Sequence, residues 1–306
     1  MKTTTVTLTP MPPYDFCLTA AAAVNFRVQH GTNFFDGTYF KKLLNLDNQT
    51  YFTRVHSIGT IDHPQLQIEI TGNTINDQST GAVTERLSWI LDTTTDLSPF
   101  YQAVAQSPTL VPLVNNLKGL HITHTNSVFE GLILAILGQQ INSKMAHTFS
   151  YHLIETYGQI FKMGGDVYYS FPKATTLADA GINGLKAIKL NRQKADYIAS
   201  IACAVALNQL DLESLHNKSD EKLVISLLNI RGVGLWTAQW LLIKSFGRND
   251  GFPHNDLALI RALTTLLKEK DLLKPEQVLK HSQRWIPFRS YVTTYIFAAI
   301  RSGCLN

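Results

Sequence analysis

Within residues 1–95 several short segments alternate apolar with polar positions at a period of two. "TVTLTP", "NFRVQHGTNFFDG", "YFTRVHSIGTID" and "QLQIEITG" are short, rich in β-branched and aromatic residues, and separated by Gly and Asp. They predict antiparallel strands. "DGTYFKKLLNL" and "TGAVTERLSWILD" predict helices within or after that sheet. The first domain is therefore expected to be α+β, and the fold class of the whole chain with it.

From residue 96 onward the period becomes helical. Helices are predicted in "SPFYQAVAQ", "SVFEGLILAILGQ", "NSKMAHTFSYHLIETYG", "GINGLKAI", "NRQKADYIASIACAVAL", "SDEKLVISLLNI", "LWTAQWLLIKSFG", "NDLALIRALTTLLKEK", "KPEQVLKHSQRW" and "FRSYVTTYIFAAIRSG". Ser219 and Asn142–Ser143 stand where N-caps belong, and Gly158, Gly247 and Gly303 trail three of the runs. The sequence has no internal repeat and no low-complexity tract.

Composition adds bounds to this picture. The 306 residues suffice for two or three domains with sizeable cores. With 45% hydrophobic and 16% charged residues, the chain reads as an ordinary globular protein. A net charge of +4 suits a polyanionic partner without requiring one. Cys17, Cys203 and Cys304 are odd in number and widely spaced, which argues against a disulfide framework, a zinc knuckle or a four-thiolate iron–sulfur cluster. The ten histidines show no metal spacing. The N-terminal "MKTTTVTLTPMPPYDF" lacks the apolar core of a signal peptide, and no apolar run approaches a membrane span. A reducing, cytoplasmic setting with no membrane partner is the expectation.

"IRGVGLWTAQWLLIKSFG", residues 230–247, carries the chemistry. Two helical runs flank a turn at Arg231-Gly232-Val233-Gly234. Glycine tolerates positive φ and lets another backbone approach closely. Such a turn, feeding a helix N-terminus, can aim backbone N–H groups at a phosphate. Contacts of that kind position a nucleic-acid strand without reading its sequence. Taken alone, Gly-Val-Gly is equally a plain turn between two helices.

With Trp-Thr-Ala directly after it, the stretch resembles the helix–hairpin–helix of DNA-repair glycosylases. In that superfamily an aspartate follows the hairpin at a near-fixed distance, and here Asp256 lies twenty residues after Trp236. By propensity Asn255 or Asp256 simply caps the next helix. The two roles are compatible, because a helix N-terminus favours negative charge. A fixed carboxylate would stabilise a sugar–base bond breaking toward an oxocarbenium ion, and could orient or deprotonate the attacking water. Superfamily members that also cleave the strand keep a Schiff-base lysine where this chain has Trp236. The resemblance thus implies a monofunctional enzyme without lyase activity. The absence of cluster cysteines points away from the endonuclease III branch.

Most of the chain resembles the DNA-3-methyladenine glycosylase II family. "PPYDF", "FEGLILAILGQQINSKMA", "FPKATTLADAGINGLKAIKLNRQKADYI", "IRGVGLWTAQW", "HNDLALIR" and "QRWIPFRSYVTTYIF" follow in family order. The implied fold is a sheet-containing domain (1–95) and two helical domains, one of 121–247 and one of 96–120 with 248–306, the cleft lying between the helical pair. The resemblance places the catalytic carboxylate at Asp256 and the base pocket at Trp236, Trp240 and Phe297. It puts a wedge that fills the gap left by the extruded nucleotide at Gln140. DNA-backbone contacts fall at Gly232, Val233, Gly234 and Thr237. Ala22 aligns where the family has a pocket aromatic, with Phe16 and Phe26 nearby. By spacing alone the three aromatics read as packing, and at least one is expected to be mostly structural.

The implied function is hydrolytic excision of N-alkylated purines of the 3-methyladenine and 7-methylguanine type in base-excision repair. Such bases are cationic leaving groups, attracted to aromatic faces by roughly 0.5–2 kcal/mol. The alternatives are a glycosylase for deaminated or oxidised bases, and a non-catalytic lesion-DNA binder of the same fold. The partner is double-stranded DNA containing alkylated bases, and the chain is expected to act as a monomer. No organic cofactor is implied, although a structural monovalent cation could sit at the backbone of Ile230 and Val233. Trp285 and Arg289 are expected to brace the cleft through packing or an ion pair. His254 reads as a loop residue without a role, and "KKLLNLDNQTYFTR" as a solvated face.

Overall fold

The computed structural model describes residues 1–46 and 48–303. Cys304 lies outside the described residues, whereas Cys17 and Cys203 are exposed, free thiols. Strands β1 (Lys2–Leu8), β2 (Gln29–His30), β3 (Asn33–Phe35), β4 (Phe40–Leu46), β5 (Gln49–Ser57) and β6 (Leu66–Gly72) form one sheet in the order β1-β6-β5-β4-β3-β2. Every pairing given for it is antiparallel. Helices α1 (Phe16–Ala23) and α2 (Asp77–Ile90) pack on one face of it. Their Phe16, Ala20, Val83 and Leu87 share a core with Leu44, Val55, Ile68 and Ile70.

One expectation in this domain fails. "DGTYFKKLLNL" is not a helix: Asp36 accepts the N–H groups of Thr38 and Tyr39 to make a tight turn, and β4 follows. The helical look came from an apolar run buried on both faces of a strand. Leu44 faces the main core, while Leu43 packs with Phe52 and Tyr168 on the other face. Lys42, in the same run, is 2% exposed and pairs with Glu130 at 4.0 Å. It also donates to Thr32 at 2.6 Å. "KKLLNLDNQTYFTR" is consequently sheet interior along much of its length, not a solvated face; its Asp47 lies outside the described residues.

The remaining helices are α3 (Ser98–Val104), α4 (Val111–Asn116), α5 (Val128–Gly138), α6 (Ser143–Tyr157), α7 (Ala174–Ala187), α8 (Arg192–Ala206), α9 (Asp220–Leu228), α10 (Leu235–Lys244), α11 (Leu257–Leu266), α12 (Pro275–Ser282) and α13 (Arg289–Ser302). A two-stranded hairpin, β7 (Ile160–Met163) and β8 (Asp166–Tyr169), interrupts them. It was not anticipated, although Gly164–Gly165 at positive φ marks its turn. Its Tyr168 and Phe161 dock on Phe52 of the N-terminal sheet.

Two further cores hold the helices. One gathers Leu132, Ile136, Leu153, Ile198, Leu223, Leu227, Ala238 and Leu241. The other gathers Leu97, Phe100 and Leu120 with Leu259, Leu263, Tyr295 and Ile296. Helix α10 contributes to both, since Leu241 belongs to the first and Ile243 to the second. It therefore forms the wall between them. Among the described residues no helix is long and apolar enough to cross a membrane.

Candidate active site

Helix α9, the turn and α10 make the hairpin foreseen at 220–247. Gly232 takes φ +90°, and a Cβ there would come within 2.5 Å of the Tyr197 ring. Both observations require glycine. Gly234 instead has φ −104° and serves as N-cap of α10, with open space where a Cβ would project. Val233 is buried and its N–H donates to Ile230 at 3.0 Å. Thr237 is 1% exposed. What the turn offers to solvent is Gly234, Leu235 and the Arg231 side chain, whereas the side chains of Val233 and Thr237 face inward.

Sequence reasoning missed Gln139. Its side-chain amide donates to the Gly232 carbonyl at 2.8 Å and to Thr237 Oγ1 at 2.9 Å. Next to it Gln140 is exposed, stands at φ +56° and lines the cleft. The amide thus links the turn to the segment that presents Gln140.

Asp256, not Asn255, is the N-cap of α11. Its Oδ1 accepts the N–H groups of Ala258 at 2.9 Å and Leu259 at 3.0 Å. Its Oδ2 accepts the indole N–H of Trp236 at 2.7 Å. The preceding loop is pinned from two sides. Gln239 of α10 accepts the Phe252 N–H at 2.7 Å, and Ser290 of α13 accepts that of Gly251 at 2.8 Å. Arg289 grips Asp250 with two bonds, at 2.7 and 2.6 Å, and Trp285 is buried against Phe252, so both act as the expected braces. His254 is half-buried in this loop.

Asp256 opens onto a cleft of about 1030 Å³ between the two helical cores. This lies at the top of the roughly 300–1,000 Å³ typical of small-ligand sites. Trp236 and Trp240, one turn apart on α10, stand edge to face with centroids 6.0 Å apart. Trp240 meets Phe297 of α13 at 5.4 Å. All three line the cleft, and Phe297, 6% exposed, is also part of the helical core. Ala22 also lines the cleft, with Ala23, Asn25 and Arg27. Phe16 is buried against Phe35 and Phe26 packs on the helical core, so neither supplies an aromatic there.

Arg27, Arg261 and Arg301 bring positive charge to the cleft. Arg301 lies 5.3 Å from the Phe297 ring centroid, and its charge acts on Asp256. Local positive charge of this kind draws a phosphate backbone. Among the described residues no three His, Cys, Asp or Glu side chains cluster to hold a metal ion.

The hairpin, α10 and Asp256 all fall inside a stretch that matches a known family. Residues 133–288 fit the HhH-GPD superfamily base excision DNA repair protein. The chain belongs to this superfamily. Among its relatives, DNA-3-methyladenine glycosylase of Bacillus subtilis is 29% identical over 209 residues, 68% of this chain and 69% of that protein. The structure of 3-methyladenine DNA-glycosylase from Archaeoglobus fulgidus superposes with a TM-score of 0.83 at 23% identity, covering 97% of this chain and 98% of its own. Schizosaccharomyces pombe 3-methyladenine DNA glycosylase in complex with abasic DNA gives 0.56 at 25% identity, over 65% and 95% of the respective chains.

The Trp236–Asp256 bond yields a first expected result. Trp236→Phe keeps an aromatic face but removes the donor to Oδ2. Loss of a charge-assisted bond is worth about 1.5–3 kcal/mol, or roughly 10- to 100-fold in rate. Single-turnover kinetics on lesion duplex should show that decrease with DNA affinity retained; an unchanged rate would separate the bond from catalysis.

Proposed function

We propose that the protein is a monofunctional DNA glycosylase that extrudes an N-alkylated purine from duplex DNA and hydrolyses its glycosidic bond. One observation carries this reading: the Asp256 carboxylate is fixed by three N–H donors at the edge of an aromatic-walled cleft. An extruded base enters between the tryptophans and the Ala22 wall. The bond from C1′ to the base nitrogen breaks, and its electron pair leaves with the base. A cationic base departs as a neutral molecule, so no strong general acid is needed. Positive character grows on the sugar, where Asp256 stabilises it. Water then adds to C1′ and gives up its proton toward the carboxylate or solvent.

The rest of the molecule serves this step. Exposed Gly234 at the start of α10 sits where a phosphate of the strand can rest. Gln140 enters the stack to hold the space the base vacates. Extrusion costs a few kcal/mol, and less for a weakened pair, which favours damaged sites. Ile230 and Val233 offer carbonyl oxygens suited to a monovalent cation; that of Ile230 already accepts the Val233 N–H, leaving it one lone pair. Trp236 cannot form a Schiff base, so the product is an intact abasic strand.

Incubation with methylated duplex DNA, followed by chromatography of the freed bases, tests the proposal. Release of 3-methyladenine and 7-methylguanine is expected, with strand breaks only after alkali. Release confined to hypoxanthine or oxidised bases would support the second reading. That reading is favoured by the absence of an aromatic at Ala22. Tight lesion binding with no base released in a single turnover would mark a binder instead.

A further inference from the structure

We infer that Lys244 forms a second recognition point in the cleft, meeting the edge of the extruded base beyond Trp240 and sorting bases by their charge. This rests on the reading of the cleft as a base pocket. Trp236, Trp240 and Lys244 recur every four residues along α10, so they share one face of it. At 1.5 Å per residue, Lys244 stands about 12 Å along the helix from Trp236. All three line the same cleft. The tryptophans offer flat faces, and Lys244 is the polar group on that stripe. Its Nζ donates to Thr123 Oγ1 at 3.0 Å, which anchors the chain end at the cleft wall.

The charged and titratable groups around it come from three other elements. Arg301 on α13 and Asp92 after α2 act on Lys244, and Lys244 with His121 acts on His124 in the segment leading to α5. Burial pulls the Lys244 ammonium down to about 7, with Arg301 pushing the same way and Asp92 opposing. Burial also lowers His124, which stacks on Trp89, so near neutrality it adds little positive charge of its own. Lys244 therefore exists in both forms around neutral pH. As a neutral amine it accepts from an exocyclic N–H and tolerates a cationic base. As an ammonium it repels that base and donates to the carbonyl oxygen of a neutral oxo-purine.

The test compares duplexes carrying 1-methyladenine, a cationic N-alkylated purine, with duplexes carrying hypoxanthine, a neutral one. Single-turnover release is measured between pH 6 and 8. Equilibrium binding is measured in parallel with Asp256→Asn, where no bond breaks. The preference for the cation should rise about 5- to 10-fold across that range, as the amine loses its proton around the midpoint. In Lys244→Met the preference should be flat. In Lys244→Arg, permanently charged, it should stay at the low-pH value. A rise that persists unchanged in Lys244→Met overturns the inference. Should that variant fail to fold, the same rise in Lys244→Arg overturns it equally. If the wild type releases no base, the proposed activity fails, and the binding ratios still decide for or against Lys244.

Discussion

Asp256→Asn is expected to abolish base release while the protein stays folded and bound to DNA. Asparagine caps a helix as well as aspartate does, so its Oδ1 can keep the N–H groups of Ala258 and Leu259. What changes is the other side. The asparagine nitrogen would face the Trp236 indole N–H, donor against donor, at a position now spanned by a 2.7 Å bond. No negative charge remains to meet the developing cation on the sugar. Removal of one such electrostatic group costs roughly 10²- to 10³-fold, and losing a whole charge sets that as the lower bound. Single-turnover release from methylated duplex, with melting and binding measured alongside, checks each part. A variant that folds, binds and still releases bases at the wild-type rate removes Asp256 from the chemistry.

Gly232→Ala should bring a large loss of stability for a single methyl group. The residue must hold φ +90°, and its new Cβ would sit 2.5 Å from Cγ and Cδ2 of Tyr197. Those atoms belong to the root of a ring packed on α8, so they cannot swing aside like a chain end. Backbone strain and overlap together predict about 2–4 kcal/mol. Gly234→Ala is the control. It has an ordinary φ of −104° and nothing within 4 Å of the added atom. Its cost should be under about 1 kcal/mol, from the poorer N-cap. Chemical denaturation of the two variants decides the matter; equal losses would mean that Tyr197 yields and the turn is not tightly specified.

These two glycines show how far the sequence could be read. Gly-Val-Gly marked a turn between two helices and Asp256 a helix cap by local rules, and the superfamily resemblance joined them into a hairpin and its carboxylate. They could not announce that only Gly232 needs its freedom, since Tyr197 arrives from another helix. Strand β4 was mistaken for a helix because Leu43 and Leu44 face different cores, which no local period reveals. Lys42 is buried among Thr32, Asn33 and Glu130, the last 88 residues on, which no local pattern shows. The wall at Ala22 and the charges of Arg27 and Arg301 likewise depend on how distant elements meet. Lys244 was the exception: its place four residues beyond Trp240 was visible, but the tryptophans alone drew attention.

The two bonds made by the Gln139 amide carry a mechanical consequence. One short, stiff strut joins the carbonyl of Gly232 to the segment holding Gln140. If the turn holds the strand and Gln140 enters the stack, as proposed, pressure on the one is passed to the other through this amide. On that proposal gripping and probing share one ruler, whose length is a single glutamine, and shortening it to serine should uncouple the two.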